Sequence, residues 1–386
     1  MQHINLIIVF LLTLQLSYSQ DSGGLAPEIT DLNAADISFA AEKNIPDLEG
    51  PYISTSPADL GDGINVGSLG DRPEILTFAN QIAAGEHGEI DSFLLWHDAQ
   101  LVFESYFRRG RINYPHYQMS ITKPYTAMAI GCAIQNGHLT MDDLDKPVVG
   151  FLGDLDLAKL APNVENITLA QAMNMKSGIR LPPEKIATLR KHPTALKGQG
   201  QIQAYLQHTA PIPDAPRPFK YQASDPSIAM QVLEAAVPGT ARDFIKTGLL
   251  GRMGITNFAW QNDTSGLPKA AAGSSMRSRD MLKWGILTAN NGKWNGQQLV
   301  PEAFVDRATA KIHTNPRGTS YGFFWWRHDM KLGDQKLDCI SGRGAGGQFI
   351  FIINQLDLIA VITAHNKGMG KILKTFPRQI LPTFAR

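Results

Sequence analysis

Apolar residues follow a helical spacing in some segments of the chain and a strand-like spacing in others. Residues 73–84 show the helical spacing and end at Gly85, and another helix is expected from Ser120 to a stop at Asn136 and Gly137. Two apolar runs within 92–107 are separated by a short polar stretch, which predicts a β-hairpin between these two helices.

The rest of the chain divides into a helical middle and a β-rich end. Helical patterns separated by loops with Pro and Gly occupy 140–260, at 169–175, 202–208, 228–236 and 241–253. A helix at 278–290 precedes apolar runs at 321–326, 349–353 and 358–363, and a last helix follows. Strands from both ends of the chain can share one antiparallel sheet, with the helical middle as a second lobe. The predicted fold class is therefore α+β, with a pocket in the cleft between sheet and lobe.

The N-terminal segment is predicted to lie outside this fold. An apolar run begins at Ile4 and ends near Leu16, and small and polar residues follow to Gln20. This order resembles a signal peptide, so residues 1–20 predict an exported protein, periplasmic or secreted. Whether the segment is cleaved or kept as an anchor stays open. Residues 21–72 have weak periodicity and predict an extended arm lying on a domain at 73–386.

Composition and charge narrow the classes of partner. The chain has 386 residues and a formal net charge of +1, which supplies no basic face for nucleic acid. The two cysteines, Cys132 and Cys339, are too few for a disulfide scaffold, and their pairing stays open. The ten histidines are scattered without a zinc-type spacing, so no metal is predicted, and His365 is expected in a loop or capping role.

The sharpest chemical feature is Ser120 followed by Lys123 at the start of a predicted helix. Residues three apart lie on one helix face, so the amine can sit beside the hydroxyl. A serine needs an adjacent base to become a nucleophile, and a lysine can be that base if burial lowers its pKa. The spacing alone is weak evidence, because a capping serine with a solvated lysine also fits it.

Two later segments strengthen the catalytic interpretation. Tyr221 stands on a predicted loop before a helix, and a glycine-rich stretch at 341–348 leads into a strand. The order of Ser-x-x-Lys, tyrosine and glycine-rich strand resembles the serine β-lactamase and penicillin-binding-protein superfamily. The resemblance is closest to the class C branch, particularly its esterases and 6-aminohexanoate-dimer hydrolases. It implies a β-lactamase/transpeptidase-like fold with a helical lobe at about 140–260.

The resemblance also implies roles for individual residues. Ser120 would form the acyl-enzyme, Lys123 would shuttle the proton, and Tyr221 would act as base and then as acid, either as a phenolate or through Lys123. The backbone N–H groups of Ser120 and Ala345 would form the oxyanion hole. The resemblance implies no cofactor.

Other positions bear on the substrate. Arg343 is a candidate anion partner, Gly344 and Gly346 would leave room for an acyl group, and Trp325 and Trp326 could line an apolar pocket. The lactamase pattern is incomplete, because Ala223 replaces its asparagine and the strand lacks the lysine of Lys-Thr-Gly.

The resulting function is an exported serine hydrolase acting on a small ester or amide. The alternatives are a β-lactamase or D-Ala-D-Ala carboxypeptidase acting on a lactam or peptide, and a non-catalytic cell-wall or ligand-binding relative. The oligomeric state stays open. A second serine, Ser320, lies in a Gly-x-Ser-x-Gly sequence, but an aromatic strand follows it where a hydrolase elbow needs a helix.

Overall fold

A large antiparallel sheet organises the part of the chain that the computed structural model describes, residues 24–30, 37–212 and 217–385. Within these residues the sheet has nine strands in the order β1-β3-β2-β14-β13-β12-β11-β10-β9. A smaller sheet has the order β4-β6-β5, and β7 pairs with β8. The strands are β1 (Tyr52–Ser54), β2 (Ile90–His97), β3 (Gln100–Tyr106), β4 (His116–Tyr117), β5 (Phe258–Trp260), β6 (Ser274–Met276), β7 (Lys293–Trp294), β8 (Gln297–Gln298), β9 (His313–Thr314), β10 (Ser320–Gly322), β11 (Trp325–Leu332), β12 (Gln335–Gly344), β13 (Gln348–Ile353) and β14 (Leu358–Ala364).

Helices cover both faces of the large sheet. They are α1 (Phe39–Glu42), α2 (Pro73–Ala83), α3 (Thr122–Gln135), α4 (Leu169–Met173), α5 (Pro183–Lys191), α6 (Gly200–His208), α7 (Ser224–Ala236), α8 (Ala241–Phe244), α9 (Ser278–Ala289), α10 (Glu302–Thr309) and α11 (Gly370–Gln379). On one face α9 packs against the central strands β2, β13 and β14. On the other face α2 and α11 bury residues such as Phe78 and Phe376 against the sheet.

The predicted α+β fold class is confirmed. The structure has an antiparallel sheet with flanking helices, and a lobe of helices lies between β3 and β9 along the chain. The lobe contains α4 to α8; α7 packs on α3 and α4 packs on α7, within one continuous apolar core. The chain leaves the sheet after β3 and returns at β9, and strands from its two ends meet where β2 pairs with β14. The helices of the lobe are therefore inserted in one segment of the chain, and a boundary forms between them and the sheet. The N-terminus of α3 lies at this boundary, next to β12.

Most local predictions agree with the structure. The hairpin at 92–107 is β2 and β3, joined by Asp98 and Ala99, which both have positive φ angles of 47° and 61° as a tight two-residue turn requires. The helix after Ser120 ends at Asn136, and Gly137 has φ of +75°.

The predicted continuous run at 321–326 is wrong. It is divided by a two-residue turn at Phe323 and Phe324, which have φ angles of 27° and 73°. Gly322 pairs with Trp325 across this turn, so β10 and β11 form a hairpin. Both phenylalanines are buried, and burial of the two rings offsets a backbone conformation that bulky residues disfavour.

The N-terminal predictions are only partly within the described residues. The signal peptide proposed for 1–20 lies outside them. The expected arm includes α1 and β1, and β1 pairs with β3 at one edge of the large sheet. Cys132 and Cys339 are both buried free thiols. Among the helices described, none is long and apolar enough to span a bilayer.

Candidate active site

Ser120 lies in a 3-10 turn, Met119–Ile121, that leads directly into α3. The helix was expected to begin at Ser120, but its α-helical part begins at Thr122. Met119, immediately before the serine, has φ of +50°, a left-handed conformation that is strained for a residue with a side chain. Ser120 is half-buried, so its hydroxyl is held in a fixed position while remaining accessible.

Lys123 meets Ser120 as the spacing predicted. Its Nζ is 3.0 Å from Ser120 Oγ and 2.6 Å from the backbone carbonyl oxygen of Ala271. The residue is 4% exposed, and burial lowers the pKa of its amine to about 7. A large fraction of the amine is therefore unprotonated at neutral pH, as a general base must be. The unprotonated nitrogen can donate one N–H to Ala271 and direct its lone pair at the Ser120 hydroxyl.

Tyr221 is the third member of this group. Lys123 Nζ lies 4.7 Å from the centre of the tyrosine ring. Burial raises the pKa of Tyr221, and a hydrogen bond from the Ser120 side chain partly opposes this increase. A raised pKa means that the phenol keeps its proton at neutral pH. Tyr221 is 39% exposed, so its burial is partial, and whether it acts as a phenolate or through Lys123 stays a prediction.

The loop that carries Tyr221 is anchored on both sides. Before it, the backbone N–H of Lys220 donates to the carbonyl oxygen of Met175 at 2.9 Å. After it, the buried carboxylate of Asp225 accepts hydrogen bonds from Gln222 Nε2 at 2.6 Å and from Ser177 Oγ at 2.7 Å. These bonds connect the loop to the segment after α4, so the lobe determines where the tyrosine stands.

The glycine-rich end of β12 runs beside the nucleophile. A Cβ built on Gly344 would lie 2.4 Å from the carbonyl oxygen of Gln118, two residues before Ser120, so only glycine permits this approach. β11 pairs with β12 as far as Ser341, whereas β12 continues to Gly344 and leaves a strand edge beyond β11. Ala345 follows on this edge and is exposed. Its role in the oxyanion hole stays a prediction.

Gly346 belongs to the turn that follows this edge. It has φ of +87°, and the next residue, Gly347, has φ of +101°. These left-handed conformations turn the chain back into β13, and L-residues with side chains rarely adopt them. Gly346 is therefore explained by the turn, and its part in making room for substrate stays a prediction.

The two tryptophans have different surroundings. Trp326 is partly exposed and stacks on Tyr221, with ring centres 5.6 Å apart. Trp325 is 1% exposed and belongs to the main core. Neighbouring strand residues face opposite sides, so only one of the pair can reach the cleft. The substrate-binding prediction for Trp325 is corrected to a core role, and that for Trp326 stays a prediction.

Arg343 is connected to the site through Trp326. Its guanidinium lies over the Trp326 ring, 5.4 Å from the ring centre. Arg343 Nε donates to Ser341 Oγ at 2.9 Å, and a terminal nitrogen donates to His328 Nδ1 at 2.6 Å. Burial lowers the pKa of His328 to about 3, so His328 is neutral and can accept this bond. Binding of a substrate anion by Arg343 stays a prediction.

Sequence reasoning missed residues that support the catalytic group from a distance. Ala271 contributes a backbone carbonyl, which leaves no signal in the identity of the side chain. Asp225 follows Tyr221 by four positions, and an acidic residue in the first turn of a helix is ordinarily explained by the helix dipole. Its complete burial distinguishes it, and that is visible only in the fold.

Comparisons with known proteins agree with this geometry. A family model described as Beta-lactamase matches residues 88–378. A protein described as a 6-aminohexanoate-dimer hydrolase from Bacillus anthracis has a similar structure, with a TM-score of 0.61 and 21% identity over 78% of this chain and 80% of that one. A class C beta-lactamase has a TM-score of 0.61 and 15% identity, over 81% of this chain and 96% of that one. A D-stereospecific amidohydrolase from Streptomyces has a TM-score of 0.56 and 15% identity, over 77% of this chain and 96% of that one.

The search of curated proteins gave no significant match. The sequence identities of these solved structures are so low that the likeness shows a shared fold alone. The family model, in contrast, matches most of the chain and therefore shows the family. With a serine, a buried lysine and a tyrosine assembled beside a glycine-rich strand, this chain belongs to the beta-lactamase family of serine hydrolases and has its β-lactamase/transpeptidase-like fold.

Proposed function

We propose that this protein is an exported serine hydrolase that cleaves an ester or amide bond of a small molecule through an acyl-enzyme on Ser120. The observation that carries the proposal is the buried Lys123 amine, 3.0 Å from Ser120 Oγ and with a pKa of about 7. A solvated lysine would be protonated at neutral pH and could not take the proton of serine. Export rests on the pattern of residues 1–20 alone.

Acylation uses the three side chains in sequence. Lys123 takes the proton of Ser120 as Oγ attacks the substrate carbonyl carbon, and backbone N–H groups of Ser120 and Ala345 stabilise the oxyanion. The carbonyl re-forms as the bond to the leaving group breaks, and Tyr221 gives that group its proton while receiving one from Lys123. A water molecule then attacks the acyl carbonyl carbon while Tyr221 takes its proton and passes its own phenolic proton to Lys123. The bond between the acyl carbon and Ser120 Oγ breaks, Lys123 returns the proton to Ser120 Oγ, and the acid product leaves.

Two observations favour an ester or simple amide over a lactam. Ala223, two positions after Tyr221, is exposed where the lactamase pattern has asparagine, and its methyl side chain offers no hydrogen bond to a lactam substrate. The guanidinium of Arg343 is already bonded to Ser341 and His328. Among the similar structures, one is described as a dimer hydrolase and one as a D-stereospecific amidohydrolase, names that denote amide cleavage.

The direct test is covalent labelling combined with a substrate panel. The purified protein should react with a fluorophosphonate, and peptide mapping should place the label on Ser120. The Ser320→Ala variant should keep the label, because Ser320 is buried and bonded to Thr314 Oγ1 at 2.8 Å. Turnover is measured with p-nitrophenyl esters, D-amino-acid amides and nitrocefin. Absence of both labelling and ester or amide turnover would indicate a non-catalytic relative, and nitrocefin turnover above ester turnover would favour the β-lactamase alternative.

Replacing the Tyr221 hydroxyl should slow the reaction without unfolding the protein. In Tyr221→Phe the ring still stacks on Trp326, but proton transfer to the leaving group is lost. We expect kcat to fall about 10²-fold or more, the usual size for a general acid–base group. The loss should be smaller for esters with good leaving groups such as p-nitrophenolate. Tyr205→Phe, a change in α6, is the matched control, and equal losses in both variants would refute the role of Tyr221.

The close approach of Gly344 gives a second prediction. In Gly344→Ala the added Cβ would lie 2.4 Å from the Gln118 carbonyl oxygen, so the strand or the serine turn must move. We expect a loss of about 1–3 kcal/mol in the free energy of unfolding and a fall in kcat. Gly368→Ala is the control, since open space surrounds Gly368. Wild-type kcat in Gly344→Ala would show that this approach does not position the nucleophile.

A further inference from the structure

A second cluster of chemically active side chains lies outside the catalytic group. Glu42 comes from α1, Asp91 from β2, His116 from β4, and His365 follows β14. The side chains of all four are at most 7% exposed. The mechanism derived above uses none of them, so their burial together needs a separate explanation.

The hydrogen bonds of the two histidines determine which ring nitrogens are available. His116 Nδ1 is 3.2 Å from the Tyr117 carbonyl oxygen, which can only accept, so Nδ1 carries the proton. His365 Nδ1 is 2.6 Å from Asp91 Oδ2 and donates to that carboxylate. A metal ion bound at Nε2 would take the place of a proton there, because the carboxylate oxygens that Nε2 of each ring faces only accept hydrogen bonds.

Both Nε2 atoms face the same carboxylate. His116 Nε2 is 3.0 Å from Glu42 Oε1 and 3.3 Å from Asp91 Oδ2, and His365 Nε2 is 3.5 Å from Glu42 Oε2. His365 Nε2 is completely buried, and within the described part of the chain it faces Glu42 Oε2 at 3.5 Å, at the outer limit of a hydrogen bond. A buried ring nitrogen whose contact with the carboxylate is this long leaves space for a stronger partner between them.

These distances suit a bound cation. One ligand atom from each of Glu42, His116 and His365 lies within 4.8 Å of the others. Ligand atoms around a tetrahedral ion with bonds of about 2.1 Å are roughly 3.4 Å apart, so small side-chain movements would complete the site. Two imidazoles and a carboxylate are a ligand set that zinc accepts.

We propose that Glu42, His116 and His365 bind one divalent transition-metal ion of the zinc type. Asp91 accepts the Nδ1 proton of His365 and holds that ring in its metal-binding tautomer, as carboxylates beside metal-bound histidines commonly do. The sequence-based expectation of no metal followed from ligands that are 74 and 249 residues apart, with no motif between them. The expected loop role of His365 ignored the same long-range arrangement.

The position of the site indicates a structural role. Glu42 belongs to α1 of the N-terminal arm, and Phe39 of the same helix stacks on the His365 ring at 5.7 Å. His116 is four positions before Ser120, and β4 pairs with β6 beneath the catalytic turn. An ion here would tie the arm to the segment that carries the nucleophile, and no step of the serine mechanism passes through it.

The test measures metal binding directly, so its outcome is independent of hydrolase activity. The full protein is freed of metal by a chelator and titrated with Zn²⁺, and with Co²⁺ as a spectroscopic probe. We expect one Zn²⁺ per chain, a Co²⁺ spectrum of the intense tetrahedral type, and a higher Tm with Zn²⁺. Glu42→Gln, His116→Gln and His365→Gln should each weaken binding at least 10-fold, and Asp91→Asn should weaken it 10- to 100-fold.

The control is His192→Gln, which replaces an exposed histidine and should leave binding unchanged. Three results would overturn the proposal: wild-type protein that takes up neither ion, binding that survives in the ligand variants, or a Tm that Zn²⁺ does not change. Any of them would leave the four side chains as a network of ion pairs alone. The wild-type titration keeps the proposal falsifiable even if a ligand variant does not fold.

Discussion

Alanine at position 120 is expected to reduce kcat about 10⁴-fold or more, because removing the nucleophile of a serine hydrolase removes most of its rate enhancement. Ser120 is half-buried in the 3-10 turn Met119–Ile121, and the shape of this turn depends on the backbone and not on the serine side chain. The substitution deletes one hydroxyl and adds no atoms, so Tm and the secondary structure should stay close to those of the wild type. Loss of activity with an intact fold would separate a chemical role from a structural one.

The measurement for Ser120→Ala is single-turnover ester hydrolysis together with fluorophosphonate labelling. Both signals should disappear together, since they report the same oxygen. Ser320→Ala provides the comparison, as a serine in a hydrolase-like motif that lies buried in β10. If Ser120→Ala kept more than a few per cent of wild-type activity, another nucleophile would have to carry the reaction.

Lys123→Met should lower kcat about 10²-fold or more and change its dependence on pH. Methionine fills a similar volume but has no lone pair on nitrogen to accept the Ser120 proton. In the wild type, activity should rise as pH increases through about 7, where the buried amine loses its proton, and then reach a plateau. Lys123→Arg keeps the positive charge at every accessible pH, so it should be inactive throughout.

The same pKa predicts a change in stability with a definite sign. Burial lowers the Lys123 pKa from 10.5 to about 7, so between these values the unfolded chain holds a proton that the folded chain lacks. The Lys123 contribution to the free energy of unfolding therefore rises with pH across this window. Relative to wild type, Lys123→Met should be most favourable below pH 7 and lose this advantage towards pH 10.5.

Thermal or urea unfolding of both proteins over this pH range checks the stability prediction, because other titrating groups are common to the two and cancel. A constant difference between wild type and Lys123→Met would mean that the amine keeps its ordinary pKa. Lys123 could not then serve as the base, and the activity profile should show no acidic limb near pH 7. Kinetic and stability measurements thus test one property by independent routes.

Local patterns in the amino-acid sequence were sufficient to predict the structure where residues close in sequence decide the conformation. The hairpin of β2 and β3 follows from its alternation and its two-residue turn, and α3 ends where Asn136 and Gly137 predict. The pairing of Ser120 with Lys123 was also predictable, because a spacing of three residues brings the side chains onto one helical face. These features depend on backbone periodicity, which a sequence displays directly.

Prediction from local sequence patterns failed where packing against residues distant in the sequence decides the conformation. Phe323 and Phe324 belong to an aromatic run typical of a strand, yet they form a turn because both rings are packed in the core. Trp325 and Trp326 are adjacent in sequence, and only the strand orientation separates a core residue from one beside Tyr221.

The chemistry of the site depends on contacts between residues far apart in the chain. The motif identified Lys123, but its low pKa comes from burial at the boundary between sheet and lobe, beside a carbonyl 148 positions away. Likewise, Glu42, His116 and His365 have no common motif, and the fold brings them within 4.8 Å. Sequence spacing identifies residues on one element, whereas desolvation and long-range contacts exist only after the elements pack together.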